Sequence, residues 1–342
     1  MIDLERLKNL GKLQNFDAIG ALKARMFHEL LPVLQRREDE NRKTAFEEQL
    51  LYLRINPFLL MESAESIIVT ATSYYHESSK ETEDEPRFPG KLARFARGLD
   101  YHQVAHHQLK GLLENLQAIE PGLEGRAFVD TGPLVDRYLA AQAGLGVYGK
   151  NNCLIIPGTG SYVVLGYMMI NKPVQQSVAE PQPLVSCEGC GRCQQACPVD
   201  ALQEPYKVRP DLCLSHLLQQ KGTIPVALRK KAGQRLYGCD ICQEVCPHNK
   251  NAVATCEPMM LRIPRNPWID AAHLLTLSNR EFNRLYRSRA FGWRGQKVMQ
   301  RNALMALGNS KDPEAIKHIR PFTDHPREML RDMARWALNQ HR

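Results

Sequence analysis

Eight cysteines at regular spacing constrain this chain more than any other feature. The run from Cys187 to Pro198 has the C-x2-C-x2-C-x3-C-P spacing of bacterial ferredoxins. A second run, from Cys239 to Pro247, adds C-x2-C and its own x3-C-P, and Cys213 lies between the two runs. Eight thiolates are the number that two cubane 4Fe–4S clusters need. The spacing therefore predicts a ferredoxin-type module with two clusters.

We infer that the two runs exchange ligands. One cluster takes three cysteines of the first run and the last cysteine of the second, namely Cys187, Cys190, Cys193 and Cys246. The other cluster takes the remaining four, namely Cys239, Cys242, Cys213 and Cys197. Zinc sites or disulfides are the alternatives, but zinc sites usually show paired C-x2-C units. Cys153 and Cys256 lie outside the pattern, and Cys153 is expected to be a small core residue.

The length and the chain start limit the class of protein. The 342 residues suffice for two domains of usual size, or for one large domain with appendages. No apolar run reaches about 18 residues, so no membrane-spanning helix is predicted. The first residues lack the basic-then-apolar pattern of a signal peptide, which favours a cytoplasmic protein. Cysteines at cluster spacing, rather than disulfides, also indicate a reducing compartment.

Before the cysteines, the pattern predicts mixed helices and strands. Residues 1 to about 60 look helical, and Pro32 marks either a kink or a new helix start. The elements predicted next are a strand at 66–75, a helix at 100–116, a strand at 126–130, a helix at 133–143 and a hairpin of strands 153–156 and 161–170. This order predicts an α/β or α+β core up to about residue 175, followed by a Pro-rich linker at 172–183.

After residue 268 the sequence predicts helices to the end. Apolar stripes at 303–307 and 330–337 are separated by Asp312-Pro313 and Asp324-His-Pro326, which break helices. Two short helices per unit resemble a HEAT-type repeat, of which little more than one unit is present. The predicted fold class is α+β, with an N-terminal α/β domain, a ferredoxin-like module for two 4Fe–4S clusters and a C-terminal HEAT-like helical repeat.

Positive charge is concentrated in two stretches of a chain whose formal net charge is +8. Residues 221–235 contain five basic residues and no acid, and residues 280–301 contain seven against one acid. Aromatic side chains interleave with the second stretch. Such patches are typical of surfaces that bind a polyanion, although a solvated helix face without a partner would look the same.

Two stretches resemble cofactor-binding motifs, but neither fits its motif fully. Gly144 to Gly149 satisfies G-x-G-x-x-G and nearly continues as a P-loop, but Asn151 stands where Ser or Thr is needed. A helix precedes this loop and a strand follows it, which is the wrong order for a nucleotide site. Asp100-Tyr-His102 begins a D-x-H-x-x-G pattern that resembles the lower-ligand loop of some cobalamin enzymes. The final Gly is missing, so a structural histidine is the simpler interpretation.

Several further motifs occur in one order along the chain: Arg54-Ile-Asn-Pro57, Gly98-Leu-Asp-Tyr-His102, Val129-Asp130-Thr-Gly132, Ala143-Gly-Leu-Gly146, Gly160-Ser-Tyr162, Arg235-Leu-Tyr-Gly-Cys239 and Gln300-Arg-Asn-Ala303. With the eight cysteines, they make the chain from about residue 50 to about residue 310 resemble epoxyqueuosine reductases. The resemblance implies a cobalamin- and iron–sulfur-dependent enzyme. Such an enzyme removes the epoxide oxygen of epoxyqueuosine at the wobble position of tRNA and leaves queuosine.

The resemblance also assigns residues. Asp130 matches the acid that protonates the departing oxygen, and desolvation beside a flat macrocycle would raise its pKa and keep its proton available. From the residues alone, the simpler interpretation of Asp130 is a cap for the helix that follows. Arg54 matches a cobalamin contact, and Asn151, Ser215 and Asp240 match positions near that cofactor.

Three regions and two partners follow from the resemblance. Residues 1–175 are expected to form a cobalamin-binding catalytic domain, 176–268 a ferredoxin-type domain with two 4Fe–4S clusters, and 269–342 a HEAT-like region that contacts tRNA. The expected partners are tRNA carrying epoxyqueuosine and a one-electron donor of flavodoxin or ferredoxin type, and the chain is expected to be a monomer. The expected tRNA contacts are Lys221, Arg229, Lys230, Lys231, Arg235, Arg294, Lys297 and Arg301.

Two other functions remain open on the sequence. A reductive dehalogenase-like enzyme would use the same cofactors on a small organohalide, but it has no need of basic patches, and such enzymes are commonly exported. A ferredoxin-type electron-transfer protein with a large partner-docking domain would also account for the cysteine runs.

Overall fold

A computed structural model of the chain describes residues 1–76, 85–176, 187–262 and 265–342. The predicted linker at 172–183 lies partly outside the described residues. Within the described ranges, no helix combines the length and the apolar composition needed to cross a membrane.

The first half of the chain is built on a four-stranded antiparallel sheet. Its elements are α1 (Leu4–Leu13), β1 (Ala18–Lys23), α2 (Leu31–Asp39), α3 (Leu51–Ile55), β2 (Ser66–Ser73), β3 (Pro89–Leu92), α4 (Tyr101–Ile119), β4 (Gly125–Val129), α5 (Asp136–Gln142), β5 (Val147–Tyr148), β6 (Leu154–Ile155) and β7 (Val163–Ile170). The strand order is β1-β2-β7-β4, and each neighbouring pair is antiparallel.

Helices cover both faces of this sheet. All eight residues of β2 are buried, as expected for a β-branched strand in the middle of a sheet. Ile68 packs with Leu109 of α4 in one core cluster, whereas Ile67 packs with Leu139 of α5 in another, because successive strand residues point to opposite faces. The loop after β4 therefore lies near the ends of both α4 and α5.

The structure confirms some predicted elements and corrects others. Pro32 lies in the first turn of α2, so it starts a new helix rather than kinking one. β1 lies in a region whose sequence predicts helix. The predicted hairpin is wrong, because β6 pairs with β5 while β7 lies between β2 and β4. Among the described residues, an isolated β-bridge between Ile156 and Gly160 is what connects the two segments of the predicted hairpin.

The second half consists of short elements and then longer helices. They are α6 (Arg192–Ala196), α7 (Leu214–Gln219), α8 (Val226–Ala232), β8 (Arg235–Tyr237), α9 (Ile241–Glu244), α10 (Pro258–Leu261), β9 (Trp268–Asp270), α11 (Ala271–Thr276), α12 (Asn279–Tyr286), α13 (Gln296–Asn309), α14 (Ala315–Ile319) and α15 (Glu328–Asn339). The helical C-terminal region is as predicted, and the predicted apolar stripes on α13 and α15 are buried.

A small sheet joins the regions to one another. β3, from the first third of the chain, pairs in parallel with β8 and antiparallel with β9. One hydrophobic core cluster accordingly contains Phe88 beside β3, Leu236 of β8 and Leu304 of α13. Residues around β3 thus share a core with the cysteine-containing region and with the C-terminal helices.

Candidate active site and cluster-binding cysteines

Asp130 follows the last residue of β4 and has a left-handed backbone, with φ of 54°. This conformation is uncommon outside glycine, and Asp tolerates it better than bulkier residues do. Its side chain is 59% exposed, yet desolvation by surrounding protein atoms still acts on its pKa. A side chain on the wall of an open recess is both accessible from outside and partly desolvated. The end of β4 therefore presents a carboxylate that an incoming molecule can reach.

The start of α4 supplies the partners of Asp130. Asp100 caps this helix by accepting the backbone N–H of His102, and the same Oδ1 lies 2.7 Å from His102 Nδ1. The other imidazole nitrogen, Nε2, lies 3.5 Å from Asp130 Oδ2. The Tyr101 hydroxyl donates to that same Oδ2 at 2.6 Å. His102 is thus held between two carboxylates, and Asp130 is held by two neighbouring residues of α4.

Electrostatics in this group differ from the expectation for Asp130. Desolvation raises its pKa as expected, but hydrogen bonds from His102 and Tyr101 outweigh that effect and leave the pKa below its ordinary value. Desolvation lowers the pKa of His102, yet hydrogen bonds with Asp100 and Asp130 raise it to about 9. At neutral pH the histidine is therefore protonated and Asp130 is ionised, so the proton rests on the imidazole.

Asp136 is a second carboxylate beside Asp130. It is the first residue of α5, within reach of the Asp130 backbone N–H, and its Oδ1 is buried with no hydrogen-bond partner among the described residues. Burial and the nearby charge of Asp130 raise its pKa to about 8. Asp136 is therefore mainly protonated at neutral pH, which leaves Asp130 as the ionised carboxylate at this point.

The eight cysteines gather in two groups. A small pocket is lined by the four that were assigned to one cluster, namely Cys187, Cys190, Cys193 and Cys246. In the other group, Cys213 interacts with Cys242 and Cys197, and Cys239 interacts with Cys242 and Cys213. Within the described part of the chain, no three His, Cys, Asp or Glu side chains lie close enough to hold one ion. A cubane spreads its ligands over four corners, so it fits a wider group than a single metal ion does.

Cys153 has a different environment from the one expected. Its thiol is hydrogen-bonded to that of Cys242, and Asn151 accepts the Cys153 backbone N–H through Oδ1 at 3.2 Å. Cys153 is therefore not an isolated core residue, because it lies against the cysteine group. No sequence pattern indicates this contact, since Cys153 is far from the cysteine runs.

Arg54 is already paired within the protein. Its Nη1 is 2.5 Å from Glu47 Oε2, and Glu47 also binds Arg37. The charge of Arg137 acts on the pKa values of both Arg54 and Asp130. Arg54 Nε is buried and has no partner among the described residues, which leaves one donor available to a bound group.

The other three residues assigned to the cofactor lie beside the cysteines. Asn151 is buried and donates to the backbone carbonyl of Cys242. Asp240 is buried and accepts the backbone N–H of Arg94 at 2.6 Å. Ser215 lies in the first turn of α7. Asn151 and Asp240 therefore support the local fold, and their contact with a cofactor stays a prediction.

Two of the expected tRNA contacts are corrected by burial. Arg301 is fully buried and donates to backbone carbonyls around α7, and Arg229 is 2% exposed and donates to Asp332 and to the carbonyl of Ile224. Neither guanidinium can reach a phosphate, because both side chains are buried inside the protein. The remaining six are exposed or half-buried: Lys221, Lys230, Lys231, Arg235, Arg294 and Lys297.

Sequence reasoning missed Tyr101 and Asp136 as part of the site, and it treated His102 as structural. The signal that could have found Tyr101 and His102 is the D-x-H pattern, which starts α4 at the end that meets β4. Asp136 had no signal, because its role depends on burial beside Asp130.

Comparisons with known proteins agree with this arrangement. Residues 54–131 match the model described as "Epoxyqueuosine reductase QueG, DUF1730", and residues 186–249 match that of a "4Fe-4S double cluster binding domain". The first match covers the segment from Arg54 to just beyond Asp130. The second covers the eight cysteines, which supports two iron–sulfur clusters in this chain.

Three similar proteins carry the comparison further. An epoxyqueuosine reductase of Bacillus cereus is 37% identical over 348 residues, which cover 99% of this chain and 90% of the relative. A solved epoxyqueuosine reductase with a tRNA-Tyr epoxyqueuosine-modified stem loop has a TM-score of 0.91 at 35% identity, covering 98% of this chain and 89% of that chain. Another, from Bacillus subtilis with its catalytic aspartate loop swung out of the active site, has a TM-score of 0.91 at 34% identity, covering 98% and 90%. This chain belongs to the epoxyqueuosine reductase family.

Proposed function

We propose that this chain reduces epoxyqueuosine to queuosine in tRNA. The observation that carries the proposal is the 37% identity to an epoxyqueuosine reductase across 99% of the chain. The reaction breaks the two carbon–oxygen bonds of the epoxide, consumes two electrons and two protons, and releases water. A dehalogenase-like or a purely electron-transferring role has no comparable support.

In this proposal Asp130 delivers a proton to the departing oxygen. Its exposed carboxylate is within reach of a substrate, and its proton supply is the protonated His102, whose Nε2 lies 3.5 Å away. Asp100 orients the imidazole through Nδ1, and Tyr101 fixes the Asp130 carboxylate. In the Bacillus subtilis enzyme the loop that carries the catalytic aspartate is swung out of the active site. This supports movement of the corresponding segment in the family. General acid catalysis of this kind contributes about 10²- to 10⁴-fold to a rate.

Two 4Fe–4S clusters would be held by the two cysteine groups. Cys246 would complete the group of the first run, and Cys197 would complete the group of the second run and Cys213. They would supply electrons one at a time. The clusters also need shielding from water. For the first group, the loop from Gly149 to Asn151 lines the pocket and would supply part of this shielding.

The swapped ligand assignment makes a prediction about iron content. Replacing Cys246 by Ala is expected to lower iron from about eight to about four atoms per chain, because one cubane loses a ligand. The measurement is iron and acid-labile sulfide after anaerobic purification. Cys197→Ala should lose the other cluster, so the two variants should differ in their spin-resonance spectra. Replacing the exposed Cys256 by Ala is the control and should leave eight. The exchange itself is tested by Cys187→Ala, which should lose the same cluster as Cys246→Ala; different spectra from that pair would contradict the exchange.

Cobalamin is proposed as the third redox group, and the residues present are compatible with it. Arg54 retains a buried Nε without a partner among the described residues. Amide groups at the edge of a corrinoid offer carbonyl acceptors for such a donor. When bound, this cofactor supplies low-potential electrons to the substrate. Asn151, Ser215 and Asp240 are proposed to lie near it through the loops that they stabilise.

The regional roles are proposed on the same basis. Residues 1–175 hold the proton-donating site and cobalamin, 176–268 hold the two clusters, and 269–342 form a HEAT-like region that contributes to tRNA binding. The six accessible basic residues, Lys221, Lys230, Lys231, Arg235, Arg294 and Lys297, are the proposed phosphate contacts. We infer a cytoplasmic monomer that receives electrons from a flavodoxin- or ferredoxin-type donor.

The test is direct conversion of substrate. The enzyme is reconstituted anaerobically with iron, sulfide and cobalamin, and is given a chemical reductant and tRNA that carries epoxyqueuosine. Nucleoside mass spectrometry should show loss of one oxygen atom to give queuosine. Absence of conversion by protein that contains both clusters and the corrinoid would refute the proposed function.

A further inference from the structure

Three side chains from two distant parts of the sequence form an exposed stack, which we name the aromatic platform: Phe46, Trp293 and Arg294. The Arg294 guanidinium carbon lies 4.3 Å from the centre of the Trp293 ring and 5.2 Å from that of Phe46. The two rings meet edge to face with centroids 6.1 Å apart. His216 packs edge-on against Phe46 at 5.3 Å. The platform therefore joins the loop before α3 to the turn before α13.

The platform is open but rigid. Trp293 is 56% exposed and Phe46 is 43% exposed, although burial of aromatic side chains is normally favourable. Trp293 is nevertheless fixed, because its indole N–H donates to the Tyr237 hydroxyl at 3.1 Å. Arg294 covers one face of the indole and leaves the rest of the ring accessible. A flat partner could stack there without first ordering the side chain.

A continuous row of aromatic rings connects the platform to the site of Asp130. Tyr237, which holds Trp293, lies 5.8 Å from the ring of Phe95, and Phe95 lies 6.0 Å from that of Tyr101. The Tyr101 hydroxyl in turn binds Asp130. The platform and the Asp130 site are thus linked through three intervening aromatic side chains, Tyr237, Phe95 and Tyr101.

The charge at the platform suits an anion. Arg294 Nε is buried and has no hydrogen-bond partner among the described residues, and Lys297 follows one turn later. The acid next to Phe46 is Glu47, and its carboxylate is already bound by Arg37 and Arg54. Stacking surfaces beside unneutralised cations are typical of single-stranded nucleic-acid sites.

We propose that the aromatic platform stacks a base of the tRNA anticodon loop next to the epoxyqueuosine nucleotide, while Arg294 contacts the adjoining phosphate. This inference rests on the proposed function and names a binding subsite for its substrate. Stacking tolerates any base, so the platform orders the loop without reading its sequence, and the modified nucleotide can be splayed toward Asp130.

Binding of an anticodon stem loop to the reconstituted enzyme tests the platform. Trp293→Ala is expected to weaken binding about 5- to 150-fold, the range that corresponds to one lost base stack. The salt dependence of binding should keep its slope, because no charge is removed. Trp293→Phe keeps a ring but loses the bond to Tyr237, so it should bind within a few-fold of wild type. Arg294→Gln should instead reduce the salt slope by about one.

Controls separate stacking from folding and from the function itself. Phe46→Ala tests the platform independently of the Tyr237 bond and should also weaken binding, whereas Leu13→Ala, at a residue that is 72% exposed on α1, should not. Iron content must match wild type in every variant compared. Unchanged binding by both Trp293→Ala and Phe46→Ala would overturn the platform, as would equal losses from Trp293→Phe and Trp293→Ala. Failure of the wild-type enzyme to bind the stem loop would count against the proposed function instead.

Discussion

Replacing Asp130 by Asn is expected to abolish reduction of epoxyqueuosine while leaving the clusters and the corrinoid bound. Asparagine has nearly the same volume and can still accept the hydrogen bond from Tyr101, but it has no proton to donate at any working pH. The expected loss is about 10²- to 10⁴-fold in turnover, the usual contribution of general acid catalysis. The measurement is the rate of queuosine formation in tRNA under single-turnover conditions.

The control for this substitution is Asp312→Asn, which removes a carboxylate that pairs with Arg87 on an exposed surface. Its turnover should match wild type. Iron content should be unchanged in both variants, because the proposed cluster ligands are all cysteines. Corrinoid absorption and stem-loop affinity should also match wild type, because neither substitution removes a proposed contact to the corrinoid or to a phosphate. Turnover of Asp130→Asn within a few-fold of wild type would disprove the acid role. Loss of cofactor in parallel with activity would assign Asp130 a structural role instead.

Replacing Arg301 by Met is expected to cause the largest loss of stability. The Arg301 guanidinium is fully buried, and its donors reach the Asn302 side chain and four backbone carbonyls, those of Leu217, Leu218, Gln220 and Gly222. Methionine fills much of the volume but removes these donors from the carbonyls of Leu217, Gln220 and Gly222, whereas the Leu218 carbonyl still accepts from Asn302 Nδ2. Because each buried unsatisfied group costs about 1–3 kcal/mol, the unfolding free energy should fall by about 3 kcal/mol or more. Thermal unfolding followed by circular dichroism measures the change.

Lys230→Met is the matched control, because it makes the same kind of substitution on the exposed side of α8. It should shift stability by no more than about 0.5 kcal/mol. It also separates the two roles that the charge pattern suggested: Lys230 should contribute to the salt dependence of tRNA binding, and Arg301 should not. An Arg301→Met protein that unfolds like wild type but binds tRNA weakly would show that Arg301 contacts tRNA and does not stabilise the core.

Part of the fold follows from local sequence. β2 is a β-branched run, and α4 has a capping Asp100 and an apolar face, so both were predicted close to their observed bounds. β1 was missed because Ala18–Lys23 contains Gly and two Ala, and its strand conformation depends on pairing with β2. The hairpin was mispredicted for a similar reason. Turn residues at 157–160 indicate a change of direction but do not specify the partner of each strand.

The candidate site was predicted only in part. Asp130 came from the family resemblance, but its low pKa depends on α4 and β4 meeting in three dimensions, which no local pattern records. The prediction of tRNA contacts from the charge pattern was wrong for a different reason. A count of basic residues does not distinguish the buried Arg229 and Arg301 from residues on the surface. Arg301 is followed by Asn302 within the apolar stripe of α13, and polar side chains inside such a stripe are better interpreted as buried donors. The cysteine spacing needed no tertiary information, because its chemistry fixes the number of ligands.

The three-stranded sheet around β3 has a consequence for how the protein is made. β3 leaves the ribosome early, but its two neighbours follow only with residues 235–237 and 268–270. Until residue 270 has been synthesised, at least one edge of β3 lacks its final partner, and the core that contains Cys197, Cys213 and Cys239 is incomplete. Truncation before that point should therefore leave a nascent chain that depends on chaperones and whose cysteines are open to oxidation.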